Sequence, residues 1–447
     1  MNNRRWLSIM LVCIMAIGLL SACSGNGGNK GNNGNGGATN APGSPSAEAP
    51  PAAEPVKLTM WGGVPPESGP QAVVDAWNAA NPDVQVEYVR FVNDDDGNLK
   101  LDTAMLTDQG VDIYVNYSLT QTEKRVEAGV ALDLGEFGDY DIDEKMGPDA
   151  ALWQIDGKYY GVPTKKNAFF VALNKDLLDA ADLEIPKSWT WDEAREYARQ
   201  LTADGRYGFI QHLEPFFDPM DSVLAKDGYT KADGSSNLDH PLIKQWLETL
   251  NAMMTEDKST PPLGEQLSTQ LPVDTSFLGG EAAMLNIGEW LIRSSNNMTD
   301  FPRDFKIAFA PVPRLAEQEA DFITRGGLGD FVSINAKSKH KEAAWEFVKW
   351  YADGGMAPMA AGGRLPASKE VDRQVAMDSL LGDQADTYDL ESLEYVLYGD
   401  ATPTFVRSVP QQVIDLRTQE YEKYFLGSQD LNKTIANMVS RHNDFLK

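Results

Sequence analysis

The chain has 447 residues, of which 39 are Lys or Arg and 66 are Asp or Glu, and its formal net charge is −27. Hydrophobic residues make up 42% and aromatic residues 9%, which is enough for a large core and excludes global disorder. The negative charge argues against a nucleic-acid partner, because two like-charged surfaces would meet. At roughly 150 residues per domain, the length predicts two or three domains.

The two cysteines, Cys13 and Cys23, both lie near the start of the chain. The rest of the sequence therefore has no disulfide, no cysteine metal site and no thiol nucleophile. The four histidines do not have a spacing that is typical of a metal site. We accordingly expect no metal and no cofactor.

Residues 1–22 are typical of a bacterial lipoprotein signal peptide. Arg4 and Arg5 give it a basic start, and the apolar run 6–20 is shorter than the roughly 20 residues of a membrane-spanning helix. Leu-Ser-Ala-Cys at residues 20–23 resembles the lipobox, in which the cysteine becomes the lipid-bearing first residue. We therefore expect a lipid anchor on Cys23. An ordinary secretory peptide with an incidental cysteine is the alternative.

Residues 23–55 are predicted to be the lipidated cysteine followed by a disordered tether. Residues 24–55 contain 8 Gly, 6 Asn and 5 Pro, and no aliphatic residue larger than Ala. Such a segment cannot bury enough apolar surface to fold. The tether predicts a globular body that works just outside a membrane, on a Gram-positive surface rather than in a periplasm.

The body is predicted to begin with a β-α-β unit. Residues 56–61 alternate between apolar and polar types as a strand does, and so do residues 84–89. Between them, the apolar side chains of residues 73–77 fall on one helical face. The two strands should therefore be parallel and joined by a right-handed crossover.

Further elements follow in chain order. Residues 111–115 predict a third short strand, and a capping box at residues 190–193 begins a helix that reaches about residue 201. Residues 243–254 carry an apolar helical stripe, and residues 343–351 predict another helix. Strands alternating with helices place the body in the α/β class. A body of roughly 390 residues is too large for one core and predicts two lobes.

Several blocks occur in the order found in a known family. They are residues 58–62 (LTMWG), 77–86 (WNAANPDVQV), 157–163 (GKYYGVP), 189–193 (WTWDE), 277–290 (FLGGEAAMLNIGEW) and 326–347. On these blocks the chain resembles the bacterial extracellular solute-binding proteins of family 1. These are the sugar-binding lipoproteins of ABC importers, related to maltose-binding protein.

The resemblance implies a periplasmic-binding-protein-like fold, in which two α/β lobes are joined at a hinge and the ligand lies in the cleft between them. It places lobe 1 at residues 56–162 and 311–355, and lobe 2 at residues 163–310 and 356–447. The implied function is capture of a carbohydrate, an oligosaccharide, by hinge closure. The closed protein would then deliver the sugar to ABC permease subunits in the membrane. We expect a monomer that breaks no bond.

A sugar cleft combines aromatic planes with amide, carboxylate or guanidinium groups. In open α/β sheets such groups lie at the carboxyl ends of strands. Trp61 and Gly62, at the end of the first strand, are therefore candidate ligand contacts, with burial as the competing interpretation of Trp61. Asn116 and Tyr117 end the third strand, where the resemblance implies an aromatic sugar contact that is replaced here by Asn.

The resemblance implies further contacts beyond the hinge. They are Asn167 as a polar contact, Glu214 and Phe216 in a Glu-Pro-aromatic motif, Trp290 as the aromatic floor, Gly327 in the cleft wall, and Arg364 on the hinge side. The two lysines that precede Asn167 are interpreted as surface charges. Packing at a helix terminus is the competing interpretation of Trp290, and a solvated loop charge that of Arg364.

Two other kinds of site are disfavoured by the sequence. Residues 94–98 are acidic, but Val92 and Thr103 occupy the first and last positions that a calcium loop would need. An acidic turn is therefore expected there. The chain also lacks the GxxxxGK[ST] pattern of a nucleotide phosphate loop.

Three other functions stay open at this point. A surface-anchored polysaccharide hydrolase would need two carboxylates about 5–10 Å apart across the cleft. An adhesin would bind polymer without closing. A binder of peptides or other polar solutes would share the fold and differ only in the cleft lining. The aromatic residues Trp61, Phe216 and Trp290 favour carbohydrate over the last of these.

Overall fold

The computed structural model describes residues 54–211, 219–315, 324–399, 404–405 and 410–447. The predicted signal peptide, the lipidation site Cys23, nearly all of the tether and the candidates Glu214 and Phe216 lie outside these ranges. Residues 53–447 group into one unit. In the described ranges, no helix has the length and apolar character that a membrane crossing requires.

The larger sheet of the described chain contains six strands. In sheet order they are β11 (Leu365–Pro366), β4 (Val162–Asn167), β10 (Gly327–Ile334), β3 (Ile113–Asn116), β1 (Val56–Gly62) and β2 (Val84–Arg90). β1 is parallel to β2 and β3, and β10 is antiparallel to β3 and β4. The parallel pair β1–β2, joined through α1 (Pro70–Ala80), confirms the predicted β-α-β unit.

The smaller sheet has β5 and β7 at its centre. Its order is β6 (Ile210–Gln211), β7 (Met284–Gly288), β5 (Phe169–Asn174) and β8 (Ile307–Pro311). β5 is antiparallel to both β7 and β8, whereas β6 is parallel to β7. Two short parallel strands, β9 (Thr324–Arg325) and β12 (Thr404–Phe405), form a separate pair.

Helices cover both sheets. The remaining α-helices are α2 (Asp95–Leu106), α3 (Leu119–Glu127), α4 (Ile142–Met146), α5 (Lys175–Ala180), α6 (Trp191–Leu201), α7 (Met220–Asp227), α8 (Pro241–Thr255), α9 (Leu263–Thr269), α10 (Val273–Leu278), α11 (Leu291–Asn296), α12 (Lys341–Trp350), α13 (Arg373–Leu381), α14 (Leu390–Tyr398), α15 (Gln411–Phe425) and α16 (Leu431–Phe445). Short 3₁₀ turns lie at Pro66–Ser68, Leu134–Glu136, Pro148–Trp153, Ala357–Gly362 and Gly382–Thr387, and a π turn lies at Tyr351–Gly355.

Local chemistry explains where the predicted helices begin and which faces they bury. The Thr190 hydroxyl accepts from the Glu193 N–H, and the Glu193 carboxylate accepts from the Thr190 N–H, so the predicted capping box begins α6. Every residue of the predicted apolar stripe on α8 is buried, which confirms that prediction: Ile243, Trp246, Leu247, Leu250, Met253 and Met254. The helix predicted from residue 343 begins at Lys341.

The alternation of side chains along β5 separates two cores. Val171 and Leu173 join one core with α6 and α8, whereas Phe170 and Ala172 join another with α13 and α14. A third core lies against the larger sheet. The α/β class is confirmed by two sheets that are each covered by helices.

The strand pairing moves the expected lobe borders. The chain passes from the larger sheet to the smaller one at Ala168, because residues 162–167 pair with β10. The predicted crossing at residues 162–163 is therefore a few residues too early. Residues 365–366, assigned by prediction to lobe 2, pair with β4 in the larger sheet.

Candidate ligand-binding site

Glu289 binds Ala168, the residue at which the chain passes from the larger sheet to the smaller one. It follows β7, and its backbone N–H donates to the carbonyl oxygen of Ala168 at 3.0 Å. Its Oε2 accepts from the N–H of Ala168 at 3.1 Å. The residue that links β4 to β5 is therefore bound through both of its backbone polar groups by one residue at the end of β7.

A buried ion pair joins Glu289 to β4. Lys165 Nζ donates to Glu289 Oε1, and the two side chains are 9% and 2% exposed. The same Nζ donates to Asn167 Oδ1 at 2.8 Å. Because an unpaired buried charge costs several kcal/mol, each member of the pair needs the other.

Trp290 lies directly after Glu289, at the N-terminus of α11. Its half-buried ring meets the ring of Phe169 edge-on, with centroids 5.8 Å apart and planes at 84°. A Cβ at Gly288 would overlap ring atoms of Trp290, so this close approach of ring to backbone requires glycine. The arrangement leaves part of the indole exposed beside Ala168, where the chain passes from the larger sheet to the smaller one. We call this place the crossing.

Two glycines of β10 lie beside Asn167. Gly327 pairs with Asn167 in the β10–β4 register, with a φ of +70° that favours glycine. A Cβ at Gly329 would overlap the side-chain amide of Asn167. Asn167 is half-buried, and its Nδ2 has no hydrogen-bond acceptor within the described ranges.

Arg364 approaches the same region from the segment that follows Gly363. A Cβ at Gly363 would lie 3.4 Å from the Cα of Trp290, which shows how near the two segments are. Arg364 Nε donates to Asp330 Oδ2 at 2.9 Å, and Asp330 is a buried residue with a left-handed φ of +45°. Burial alone would lower the pKa of Arg364, but the Asp330 carboxylate, Tyr117 and Glu289 together outweigh burial and raise that pKa.

Tyr117 lies in a small cavity beside Asp330. Its hydroxyl accepts from the N–H of Gly63 at 2.6 Å. Burial raises the pKa of Tyr117, and the charge of Asp330 raises it further. The cavity, which Tyr88 and Tyr351 also line, has a volume of about 10 Å³ and has room for no more than one water. In this structure the Tyr117 hydroxyl therefore stabilises the loop after β1.

Trp61 and Gly62 end β1, as predicted, and Trp61 packs on the face of the larger sheet that α2 covers. The Nζ of Lys100 on α2 lies 5.9 Å from the centroid of the half-buried Trp61 ring. A Cβ at Gly62 would lie 2.6 Å from the Tyr88 hydroxyl oxygen. Trp61 therefore combines partial packing against α2 with partial exposure.

Asn116 has a structural role rather than the predicted ligand contact. It is fully buried, its Oδ1 accepts from Arg125 Nη1 at 2.6 Å, and its Nδ2 donates to Ser333 Oγ at 2.9 Å. Arg125 is held in turn by Asp102, with Nε donating to a carboxylate oxygen at 2.7 Å. Both ends of the Asn116 amide are bound by protein groups, so the prediction of a ligand contact there is not supported.

Lys165, Glu289 and Asp330 complete this region, and the sequence does not single them out. Interpreting Lys165 as a surface charge is wrong, because the residue is 7% exposed and paired. One signal was present: Glu289 lies between a glycine and the tryptophan of a block that is typical of the family. Asp330 stands alone in an apolar strand, which is a weaker signal.

The acidic turn at residues 94–98 begins a helix. Asp94 Oδ1 accepts from the N–H of Gly97 at 2.8 Å and caps α2. In the part of the chain that the structure describes, no group of three or more His, Cys, Asp or Glu side chains is placed to hold a metal ion.

A sequence profile of the bacterial extracellular solute-binding proteins matches residues 62–354, which is more than half of the chain. An uncharacterized lipoprotein of Streptomyces antibioticus is 24% identical over 381 residues, covering 80% of this chain and 79% of that protein. A maltotriose-binding protein of Pyrococcus abyssi is 25% identical over 306 residues, covering 66% of this chain and 62% of that protein.

Solved structures share the fold. An ABC substrate-binding protein from Listeria monocytogenes in complex with cycloalternan superposes with a TM-score of 0.69 at 22% identity. The match covers 88% of this chain and 99% of that chain. At this identity the likeness establishes the two-lobe fold alone.

Proposed function

Because the chain belongs to the bacterial extracellular solute-binding protein family, we propose that it captures an oligosaccharide in a cleft at the crossing between its two sheets. It is a binding protein and not an enzyme, so the proposed event is capture and release without bond breakage. The captured sugar would pass to the transmembrane subunits of an ABC importer.

The observation that supports this proposal is the grouping of predicted contacts at the crossing. Asn167, Trp290 and Gly327 lie around the Lys165–Glu289 pair, and Arg364 approaches through Gly363. A half-buried indole with part of its ring exposed suits the apolar face of a sugar ring, while amide and guanidinium groups suit its hydroxyls. The relatives that bind maltotriose and cycloalternan agree with this chemistry.

Hinge closure is the proposed mode of capture. The larger sheet and the elements on it would form one lobe, and the smaller sheet with its helices the other. Ala168, the return from β8 to β10 and the segment between β11 and α13 are the proposed connections. A ligand that contacts both lobes favours the closed state by its differential affinity for that state.

We further propose that the protein is a monomer held at the outer face of the cell membrane by a lipid on Cys23. The lipobox-like residues 20–23 and the polar segment that follows them support this anchor. The lipoprotein relative from Streptomyces antibioticus points the same way. Stable anchoring needs more than one acyl chain, since a single chain binds a bilayer only marginally.

A binder of peptides or other polar solutes is the second candidate, because the fold is shared. Titrating the chain from residue 53 with maltotriose, cycloalternan and a set of dipeptides would separate the two. We expect saturable one-site heat and a change in tryptophan fluorescence with one of the sugars, which should be recovered uncleaved. Response to dipeptides alone would overturn the carbohydrate proposal.

A further inference from the structure

We propose that the buried Lys165–Glu289 pair sets the polarity of the ligand contact at Asn167, so that a bound sugar must place a hydrogen-bond acceptor there. This inference rests on the proposed function in one respect, which is that Asn167 contacts the sugar. Lys165 and Glu289 act through Asn167 and are positioning residues.

The first step concerns the two ends of the Asn167 amide. An asparagine amide can present either its oxygen or its N–H₂ group to a given partner. A lysine ammonium has donors and no acceptor, so Lys165 can meet only the oxygen. The 2.8 Å contact from Lys165 Nζ to Asn167 Oδ1 therefore fixes which way the amide is turned.

The Lys165 ammonium cannot turn away from Asn167. It is paired with Glu289, and both side chains are almost completely buried. Glu289 is itself held, because its second carboxylate oxygen and its backbone N–H both bind Ala168. Moving Lys165 would leave a buried carboxylate without its cation, which is strongly unfavourable.

The third step follows the free end of the amide. Among the described residues, Asn167 Nδ2 finds no acceptor, and the side chain is half exposed. Gly329 leaves the room that the amide occupies, since a Cβ there would overlap it. The N–H₂ group is thus a pair of oriented donors, and the matching ligand atom is a hydroxyl or ring oxygen that accepts.

The test uses the full chain in mild detergent, with maltotriose and its monodeoxyfluoro derivatives as probes. A sugar fluorine accepts hydrogen bonds weakly and cannot donate them. A sugar hydroxyl can rotate either to accept from the Asn167 N–H₂ group or to donate to a carboxylate at that position. Asn167→Asp keeps an oxygen for Lys165 but has no donor. At one ring position, we expect replacement of hydroxyl by fluorine to weaken binding at least tenfold more in Asn167→Asp than in the wild type, while the melting temperatures stay within a few degrees.

The second variant removes the pair while keeping the site neutral. Lys165→Met with Glu289→Gln preserves an acceptor for the Ala168 N–H, so the chain should fold. Maltotriose affinity should fall at least tenfold, because the Asn167 side chain is then free to leave its rotamer as well as to turn its amide, which leaves only a small fraction of the protein in the binding arrangement. The matched control is Lys158→Met with Asp133→Asn, which removes an exposed ion pair and should change affinity less than twofold.

Two results would overturn the inference. One is unchanged maltotriose affinity in the Lys165→Met, Glu289→Gln variant. The other is an equal effect of fluorine in the wild type and Asn167→Asp at every position. If the wild type binds neither maltotriose nor the other sugars, the proposed function fails separately. Melting shifts of Lys165→Met and Asn167→Ala, alone and combined, then decide the inference, since additive shifts would show that Lys165 does not hold Asn167.

Discussion

Asn116 and Asn167 each stand at the end of a strand in the larger sheet, yet their surroundings differ. Asn116 is fully buried, and Arg125 and Ser333 bind the two ends of its amide. Asn167 is half exposed, with its oxygen bound by Lys165 and its N–H₂ group without a protein partner in the described ranges.

The difference shows what separates a structural amide from a binding one. A buried polar group that is satisfied by protein partners stabilises the fold and has nothing left to offer a ligand. A polar group that is held in place through one of its two ends can still bind a ligand through the other end. The position at a strand end is common to both residues and does not decide between the two roles.

The largest expected effect is a loss of stability when the Lys165 ammonium, which binds Asn167, is removed. Lys165→Met should lower the free energy of unfolding by about 3–5 kcal/mol, because it leaves Glu289 as an unpaired buried carboxylate. Urea unfolding followed by circular dichroism measures this. Lys158→Met, at an exposed pair, should lower the free energy of unfolding far less. Equal losses for the two variants would show that the crossing is not held by this pair.

The two asparagines should respond in opposite ways to truncation. Asn116→Ala should lower the free energy of unfolding by about 1–3 kcal/mol, since it removes the amide that binds Arg125 Nη1 and Ser333 Oγ, and should leave sugar affinity unchanged. Asn167→Ala should weaken sugar binding about tenfold with a stability loss below about 1 kcal/mol. Unfolding curves and calorimetric titration of both variants measure these effects. A loss of affinity in Asn116→Ala with a loss of stability in Asn167→Ala would contradict the assigned roles.

Trp290 should contribute to binding more than to stability. Trp290→Ala is expected to weaken sugar binding about tenfold, the equivalent of about 1.4 kcal/mol for an aromatic contact. Tyr395→Ala, which removes an aromatic ring that is 41% exposed on α14, is the control and should leave affinity unchanged. Fluorescence titration measures the sugar affinity of both variants. Equal losses of affinity would show that Trp290 does not contact the sugar.

The smallest effect on sugar affinity is expected at another polar group that protein partners satisfy, Glu420. Its buried carboxylate accepts from four side chains: Lys423, Gln429, Asn437 and Arg441. Burial alone would raise its pKa, but these hydrogen bonds outweigh it and lower the pKa from 4.5 to about 2.

The lowered pKa gives Glu420 a stabilising role above pH 4.5, which is lost as the pH falls from 4.5 towards 2. Glu420→Gln should therefore flatten part of the acid limb of the stability curve without changing sugar affinity at pH 7. Unfolding midpoints across that pH range measure the effect. An unchanged acid limb would show that the four donors do not hold the charge.

The larger elements follow from local patterns and were predictable. Alternation predicted β1 and β2, and the capping box at Thr190 predicted the start of α6, because these signals lie within a few residues of one another. Family-like blocks indicated Asn167 and Trp290. The Lys165–Glu289 pair joins residues 124 positions apart, and no local pattern encodes such a meeting. The same limit explains Asn116, whose partner Ser333 lies 217 positions away.

A crystal structure of the chain with bound maltotriose, or with whichever panel sugar binds, would test the central claim most directly. We predict the sugar at the crossing, with a ring packed on Trp290 and a sugar oxygen within hydrogen-bond distance of Asn167 Nδ2, while Oδ1 still faces Lys165. A sugar bound away from the crossing, or one that donates to Asn167 Oδ1, would contradict the account.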